Sequence, residues 1–195
     1  MIWDQNLRSC SLVTLMTLSL APHFLTPKRA IAPQPPILRP EQPRDAASVA
    51  SLIERAFGPG RYAKAAERLR EHNTPLFDIC FVACLDDRLV GCVRMWPILV
   101  GARPAVFLGP FAVEPEFRSL GLGASLIRQA CKASGQAGHD LLLLVGDSAY
   151  FEPLGFRMVP PGRLVLPGPV DPARVLTLAL TSGADDGLSG GVTIA

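Results

Sequence analysis

The 195-residue chain has no run of like charge longer than two residues, and its formal net charge is only +2. A nucleic-acid partner calls for a basic stripe or patch. The scattered Lys and Arg read instead as a solvated surface, so no nucleic-acid partner is expected. No C-x-x-C pair occurs among the five cysteines, Cys10, Cys80, Cys84, Cys92 and Cys131, and His23, His72 and His139 lie far apart. A zinc site needs clustered Cys and His at ligand spacing, so no metal is expected. Cys80, Cys84 and Cys92 sit in apolar stretches, where cysteine behaves as a small hydrophobe. All five are expected to be free thiols in a reducing compartment. A nucleophilic cysteine would need a histidine brought close by the fold, and no pattern points to one. No apolar run approaches the roughly 20 residues of a membrane span. The stretch 12–20 is short and studded with Ser and Thr. No membrane partner is expected, and the expected location is cytoplasmic.

What is present is a chain 49% hydrophobic and 18% charged, enough to bury one sizeable core. Residues 1–36 stand apart. Pro22, Pro27, Pro33, Pro35 and Pro36 block helix and sheet alike. Ala30-Ile31-Ala32 resembles a signal-peptide cleavage site. Asp4, the interrupting Pro22, and Lys28-Arg29 after the apolar run argue against that reading. The expectation is a poorly ordered extension over 1–36, or a translation start at Met16. A folded domain is expected over 37–184, and a polar, Gly-rich, flexible tail over 185–195.

From Ile37 strands and helices alternate. Ile37 begins a short strand. Asp45 is a plausible N-cap for a helix carrying Ala46, Val49, Ala50, Ile53 and Phe57 at helical spacing. A second helix is expected over 62–71, which is rich in Ala, Lys, Glu, Arg and Leu. Strands follow over 79–85, 89–96 and 105–113, the first two joined by the turn Asp86-Asp87-Arg88. Pro110 is out of place in a buried strand, so Gly109-Pro110 is where regular pairing should break. Leu122, Leu126, Ile127, Ala130 and Cys131 then mark one face of a helix. The run 141–145 is a strand buried on both faces, Gly146-Asp147 opens a short helix, and 174–180 is the expected last strand.

Between the buried strand and the amphipathic helix lies Arg118-Ser119-Leu120-Gly121-Leu122-Gly123. A helix start carries about four unpaired N–H groups and a partial positive charge. Glycines let a ligand approach the backbone closely. Together these make an anion site suited to a pyrophosphate, with Arg118 available for charge-assisted bonds and Ser125 offering a hydroxyl. A P-loop would need a lysine that is absent. A dinucleotide fingerprint would need a third glycine or alanine where Leu126 stands, and this loop comes late in the chain.

Arg-x-x-Gly-x-Gly after Phe111-Ala112-Val113-Glu114-Pro115 resembles the coenzyme A segment of the GCN5-related N-acetyltransferase (GNAT) superfamily. The likeness spans the string LGPFAVEPEFRSLGLGASLI. Downstream, residues 144–156, ending in Gly155-Phe156, resemble that family's next strand and helix. In all it covers roughly residues 37–181 and looks most like a bacterial branch of small stand-alone acetyltransferases.

The resemblance implies an α/β (α+β) GNAT fold, with a mixed central sheet splayed at a coenzyme A cleft and flanked by helices. It implies acetyl-CoA as cosubstrate. Phe111, Ala112 and Val113 would pair with the pantetheine arm. Arg118, Ser119, Leu120, Gly121, Leu122, Gly123, Ala124 and Ser125 would hold the pyrophosphate. The implied activity is direct transfer of acetyl to a primary amine (an acyltransferase, EC 2.3.1.-). A tyrosine acid is common in the family at the position that is Phe151 here, four residues before Gly155. The neighbouring Tyr150 is the candidate acid, and the alternative is a thiolate that leaves unassisted. Asp147 is the candidate base, with helix capping as its alternative. Glu114 could reach the cleft or be solvated. Trp96 and Arg94 could line the acceptor pocket or serve core and surface. A non-catalytic acyl-CoA-binding module and a nucleotide-binding regulator are the competing functions. The acceptor is undefined, and a homodimer is left open.

Overall fold

Side-chain alternation along β2 (Phe81–Leu85) decides where the helices pack. Phe81 and Ala83 join a core cluster with Leu122 and Leu126, whereas Val82 joins Val49, Leu52 and Ile53 on the other face. A sheet buried on both sides follows, with one amphipathic helix against each face. The structure, a computed structural model, describes residues 35–195. Around β2 the order is β1 (Ile37–Pro40), α1 (Ala46–Phe57), α2 (Ala65–Arg68), β2, β3 (Arg88–Val100), β4 (Arg103–Val113), α3 (Leu122–Gln136), β5 (Leu141–Val145), α4 (Ser148–Phe151), β6 (Arg157–Met158), β7 (Leu164–Val165), β8 (Val175–Ala179) and β9 (Gly190–Ile194).

The strands run β1-β2-β3-β4-β5-β8-β6, with β9 on β3 and β7 beside β9. Pairing along that path is antiparallel except between β4 and β5. These two parallel strands pair only at Val106 with Leu142 and Phe107 with Leu143. Beyond that point β4 continues to Val113 with no partner on its β5 side, so the sheet splays open. The expected mixed, splayed sheet flanked by helices is the fold found.

A bulge in β4 accompanies the splay. Val93 faces Phe111 and Met95 faces Leu108, three steps on β4 against two on β3. The extra residue falls at Gly109-Pro110, where the misplaced proline led us to expect regular pairing to break, and that peptide bond is cis. One extra residue exchanges the faces of everything beyond it. Val106 and Leu108 lie on the α3 side before the bulge. After it Val113 lies there, while Ala112 turns to α1.

Strand β3 runs further than expected, through Pro97 to Val100. Its second edge is held by β2 up to Val93 and by β9 from Ile98. Pro97 falls in the gap between them. The N–H and C=O of a strand residue point the same way, and the Pro97 carbonyl accepts from Asn73 Nδ2 at 2.9 Å on the gap side. The missing N–H therefore removes no ladder bond.

Three expectations are corrected. The helix over 62–71 is instead a 3-10 turn, Pro59–Ala63, and the four-residue α2, because Lys64 between them is extended at φ −88°, ψ 146°. Good helix formers set a preference that the break at Lys64 overrides. The strand over 174–180 is not the last, and 185–195 is not a bare tail: β9 pairs with Ile98–Val100 of β3. Its hold is mostly main-chain, with Val192 as its buried anchor. Asp45 occupies the N-cap position of α1 but caps nothing there. Its buried carboxylate accepts from both terminal guanidinium nitrogens of Arg39, at 2.6 and 2.7 Å, and from the Gln42 N–H. Cys10 and the signal-peptide and start-site readings lie outside the described residues. No helix among the described residues is long and apolar enough to cross a membrane.

Candidate functional site

The loop after β4 is built to leave its amides free. Glu114 N–H still bonds to Val90 O, a 3-10 turn follows at Pro115–Phe117, and Arg118 Nε donates to Val113 O at 3.0 Å. Ser119 and Gly121 then take left-handed φ of 68° and 75°. Gly121 is the N-cap of α3, whose first turn is anchored by the buried Leu122 and Leu126. The N–H groups of residues 119–124 donate to no acceptor among the described residues. Six open amides at the start of a 15-residue helix form a concave anion cradle.

A cleft of about 640 Å³ opens over this cradle. Of the expected cosubstrate residues, Phe111, Ala112, Val113, Arg118, Ser119, Gly121, Gly123 and Ala124 line it. Leu120, Leu122 and Ser125 do not. Leu120 projects outward at 70% exposure, Leu122 is in the core, and Ser125 Oγ donates back to Gly121 O at 3.2 Å. The backbone amides of Leu120 and Leu122 are open, although neither residue lines the cleft.

A second pocket, about 350 Å³, lies where β4 and β5 part, and shares Phe57 and Phe111 with the cleft. Leu108, Gly109 and Pro110 of the bulge form one wall, and Val145, Gly146 and Asp147 another. The two compartments are therefore neighbours, with Phe57 and Phe111 between them.

The two adjacent aromatics divide between these spaces. Tyr150 lines the cleft and stacks on Phe111, with centroids 6.0 Å apart and planes at 25°. Burial raises its phenol pKa above the ordinary value, an effect Arg128 opposes. Phe151 is 8% exposed, sits edge-on to Phe156 and borders the second pocket. Asp147 is the N-cap of α4 and accepts Ala149 N–H through Oδ1 at 3.2 Å. Its capping alternative is thus realised, while Oδ2 has no partner among the described residues.

Three other candidates go elsewhere. Glu114 is buried and ion-paired with Arg55 at 2.7 Å, so it neither reaches the cleft nor is solvated. Arg94 pairs with Glu41, whose side chain is fully buried, and lines neither pocket. Trp96 is also absent from both linings. It is buried, and its Nε1 donates to Gly109 O at 2.5 Å, pinning the bulge. Cys80, Cys84, Cys92 and Cys131 are free thiols, and burial pushes Cys80, Cys92 and Cys131 up to about 12. Cys80, Cys92 and Cys131 are therefore protonated, and poor nucleophiles, at neutral pH.

Sequence reasoning missed the charged wall of the second pocket. Arg61, Lys64, Arg70, Asp171 and Arg174 come from segments with no motif, and Lys64 and Arg70 were hidden in what looked like an ordinary helix. No local pattern could have flagged them, since only the fold brings Arg174 against α2.

Three of the solved structures that share this architecture do so at low identity. A GNAT family N-acetyltransferase from Escherichia coli, in complex with CoA, is 25% identical, with TM-score 0.71 over 83% of this chain and 90% of that one. A GNAT family acetyltransferase from Brucella melitensis, in complex with acetyl-CoA, is 26% identical, with TM-score 0.61 over 82% of this chain and 96% of that one. The Escherichia coli ribosomal-protein-S18-alanine N-acetyltransferase, 19% identical, with TM-score 0.52 over 75% of this chain and 94% of that one, shares the fold. No curated protein matches the sequence significantly. The model of the acetyltransferase (GNAT) family matches residues 46–156, more than half of the chain, and the chain belongs to that family.

Proposed function

We propose that the protein is an acetyl-CoA-dependent N-acetyltransferase acting on a primary amine. The observation that carries this reading is the pair of compartments meeting at Phe57 and Phe111 beside the β4 bulge. The two 25–26% identical relatives crystallised with CoA and acetyl-CoA support it.

The open amides of 119–124 fit a pyrophosphate, and Arg118 adds a cation whose terminal nitrogens have no partner among the described residues. Phe111, Ala112 and Val113 give an extended edge for the pantetheine amides. Acetyl-CoA supplies the activated thioester. The amine, held in the second pocket, attacks the carbonyl: a C–N bond forms and the C–S bond breaks. Asp147 Oδ2, or water beside it, takes the amine proton. Tyr150 gives its phenolic proton to the leaving sulfur. A backbone N–H of the bulged strand stabilises the charge on the carbonyl oxygen.

The buried Phe151 favours a second reading, a non-catalytic acyl-CoA-binding module, because it removes the family's common acid. Thiol release from acetyl-CoA over a panel of amines separates the two. Tight binding with no release from any amine identifies the binding module.

A further inference from the structure

We propose that the second pocket takes a zwitterionic acceptor: a primary amine carrying its own oxyanion, a carboxylate or a phosphate. This rests on the acetyltransferase reading for the role of the amine, but the charge pattern stands on the pocket alone.

Six charged side chains line it: Arg61, Lys64, Arg70, Arg174, Asp147 and Asp171. Two of the cations are already paired with carboxylates behind the wall. Arg61 pairs with Glu54, and Arg70 donates to Glu67 at 2.7 Å. Lys64 has no partner among the described residues, and Arg174 reaches only the Gly146 carbonyl, at 3.5 Å. Asp147 and Asp171 each accept one backbone N–H, from Ala149 and Ala173, and neither has an ion pair among the described residues. Two open cations and two open carboxylates thus face one space, which suits a ligand bearing both signs.

Arg70 assigns the anionic end. Its side chain is only 11% exposed, yet it makes a single hydrogen bond. Its Nε is the one buried side-chain polar atom without a partner among the described residues. A guanidinium has five donors, and burying it under-bonded is unfavourable. An oxyanion in the pocket would meet the terminal guanidinium nitrogens, which keep donors beyond the one bond to Glu67, and would counter the partly desolvated charge. Much of the remaining lining is apolar, with Phe57, Phe107, Leu108 and Val170, so the body between the two charges is apolar as well.

The test uses the full chain with acetyl-CoA and follows thiol release against acceptors in matched pairs: leucine against leucinamide, O-phosphoethanolamine against ethanolamine, with spermidine as the polycation. Leucinamide has the more acidic amine and so more free base at neutral pH. Without anion recognition it would be the faster acceptor. The expected result is a kcat/KM at least tenfold higher for the anionic member of one pair. Leucine responding assigns a carboxylate, and phosphoethanolamine responding assigns a phosphate. Arg70→Gln should erase that preference through KM with kcat retained, and the exposed Lys64→Gln serves as a second variant should the first fold poorly. Equal or better turnover of leucinamide, ethanolamine and spermidine overturns the proposal. If no amine turns over, the acetyltransferase reading fails by itself. Calorimetry of leucine and phosphoethanolamine with the CoA-saturated protein then still decides the pocket: binding that Lys64→Gln weakens supports it, and no binding of either overturns it.

Discussion

The Tyr150 hydroxyl lies 2.5 Å from the point where a Cβ on Gly123 would stand. The Phe111 Cζ is 2.8 Å from the same point. Gly123 is therefore required to admit the aromatic pair that forms the cleft wall. Gly121 has a different reason. Nothing lies within 4 Å of its missing Cβ, but its φ is +75°. Gly121→Ala should cost about 1–2 kcal/mol of stability through left-handed strain alone, read from urea melts. Gly123→Ala should instead displace Tyr150 or Phe111, seen as lower acetyl-CoA affinity with a smaller change in the melt.

Tyr150→Phe should lower kcat by about 10²-fold, the usual scale of general acid catalysis, and leave acetyl-CoA affinity nearly unchanged. The pH profile carries the sign. Burial raises the phenol pKa. The proton is therefore held, and can be donated, throughout the neutral range, and it is lost only as pH climbs past the ordinary tyrosine value of about 10. An alkaline fall in kcat that is present in the native protein and absent from Tyr150→Phe is the expected pattern. Native-like kcat in the variant would remove Tyr150 from the mechanism.

Trp96 acts on the site without touching either pocket. Its Nε1–H bond to Gly109 O ties β3 to the bulge. Trp96→Phe keeps most of the apolar bulk and leaves that carbonyl unpaired, so it should cost about 1–3 kcal/mol. Because the bulge separates the two compartments, kcat should drop more than acetyl-CoA affinity. Steady-state kinetics set beside calorimetry would show the split.

Arg94 is a structural cation. Arg94→Met should destabilise the protein by about 3–5 kcal/mol, since it strands the Glu41 carboxylate in the core. Glu41→Leu combined with Arg94→Met should recover much of that loss, and KM for any working acceptor should not change in the double variant. Denaturation midpoints together with acceptor kinetics test both statements.

The cradle was legible because it is local. Strand, left-handed glycine and amphipathic helix follow one another within about thirty residues, and each leaves a signature in composition or spacing. Pro110 likewise announced the bulge, because a proline has few places in a buried strand. The second pocket was illegible for the opposite reason. Arg70 and Arg174 come to one pocket only through the fold, and the break at Lys64 overrides good helix propensity on both sides. The strand β9 escaped notice because it joins β3 through main-chain bonds and carries little apolar side chain. Glu114, Arg94 and Trp96 were plausible by position along the chain, but side-chain direction decided their roles.

In the proposed mechanism the six open amides of residues 119–124 hold the pyrophosphate of coenzyme A. Isothermal titration of the full chain with acetyl-CoA, CoA and ATP tests it most directly, repeated on Gly121→Glu and Gly123→Glu. The expected result is one site for each CoA species, no comparable site for ATP, and loss of binding in both variants through clash and charge repulsion. Absence of binding by both CoA species, or unchanged affinity in both glutamate variants, would contradict the assignment.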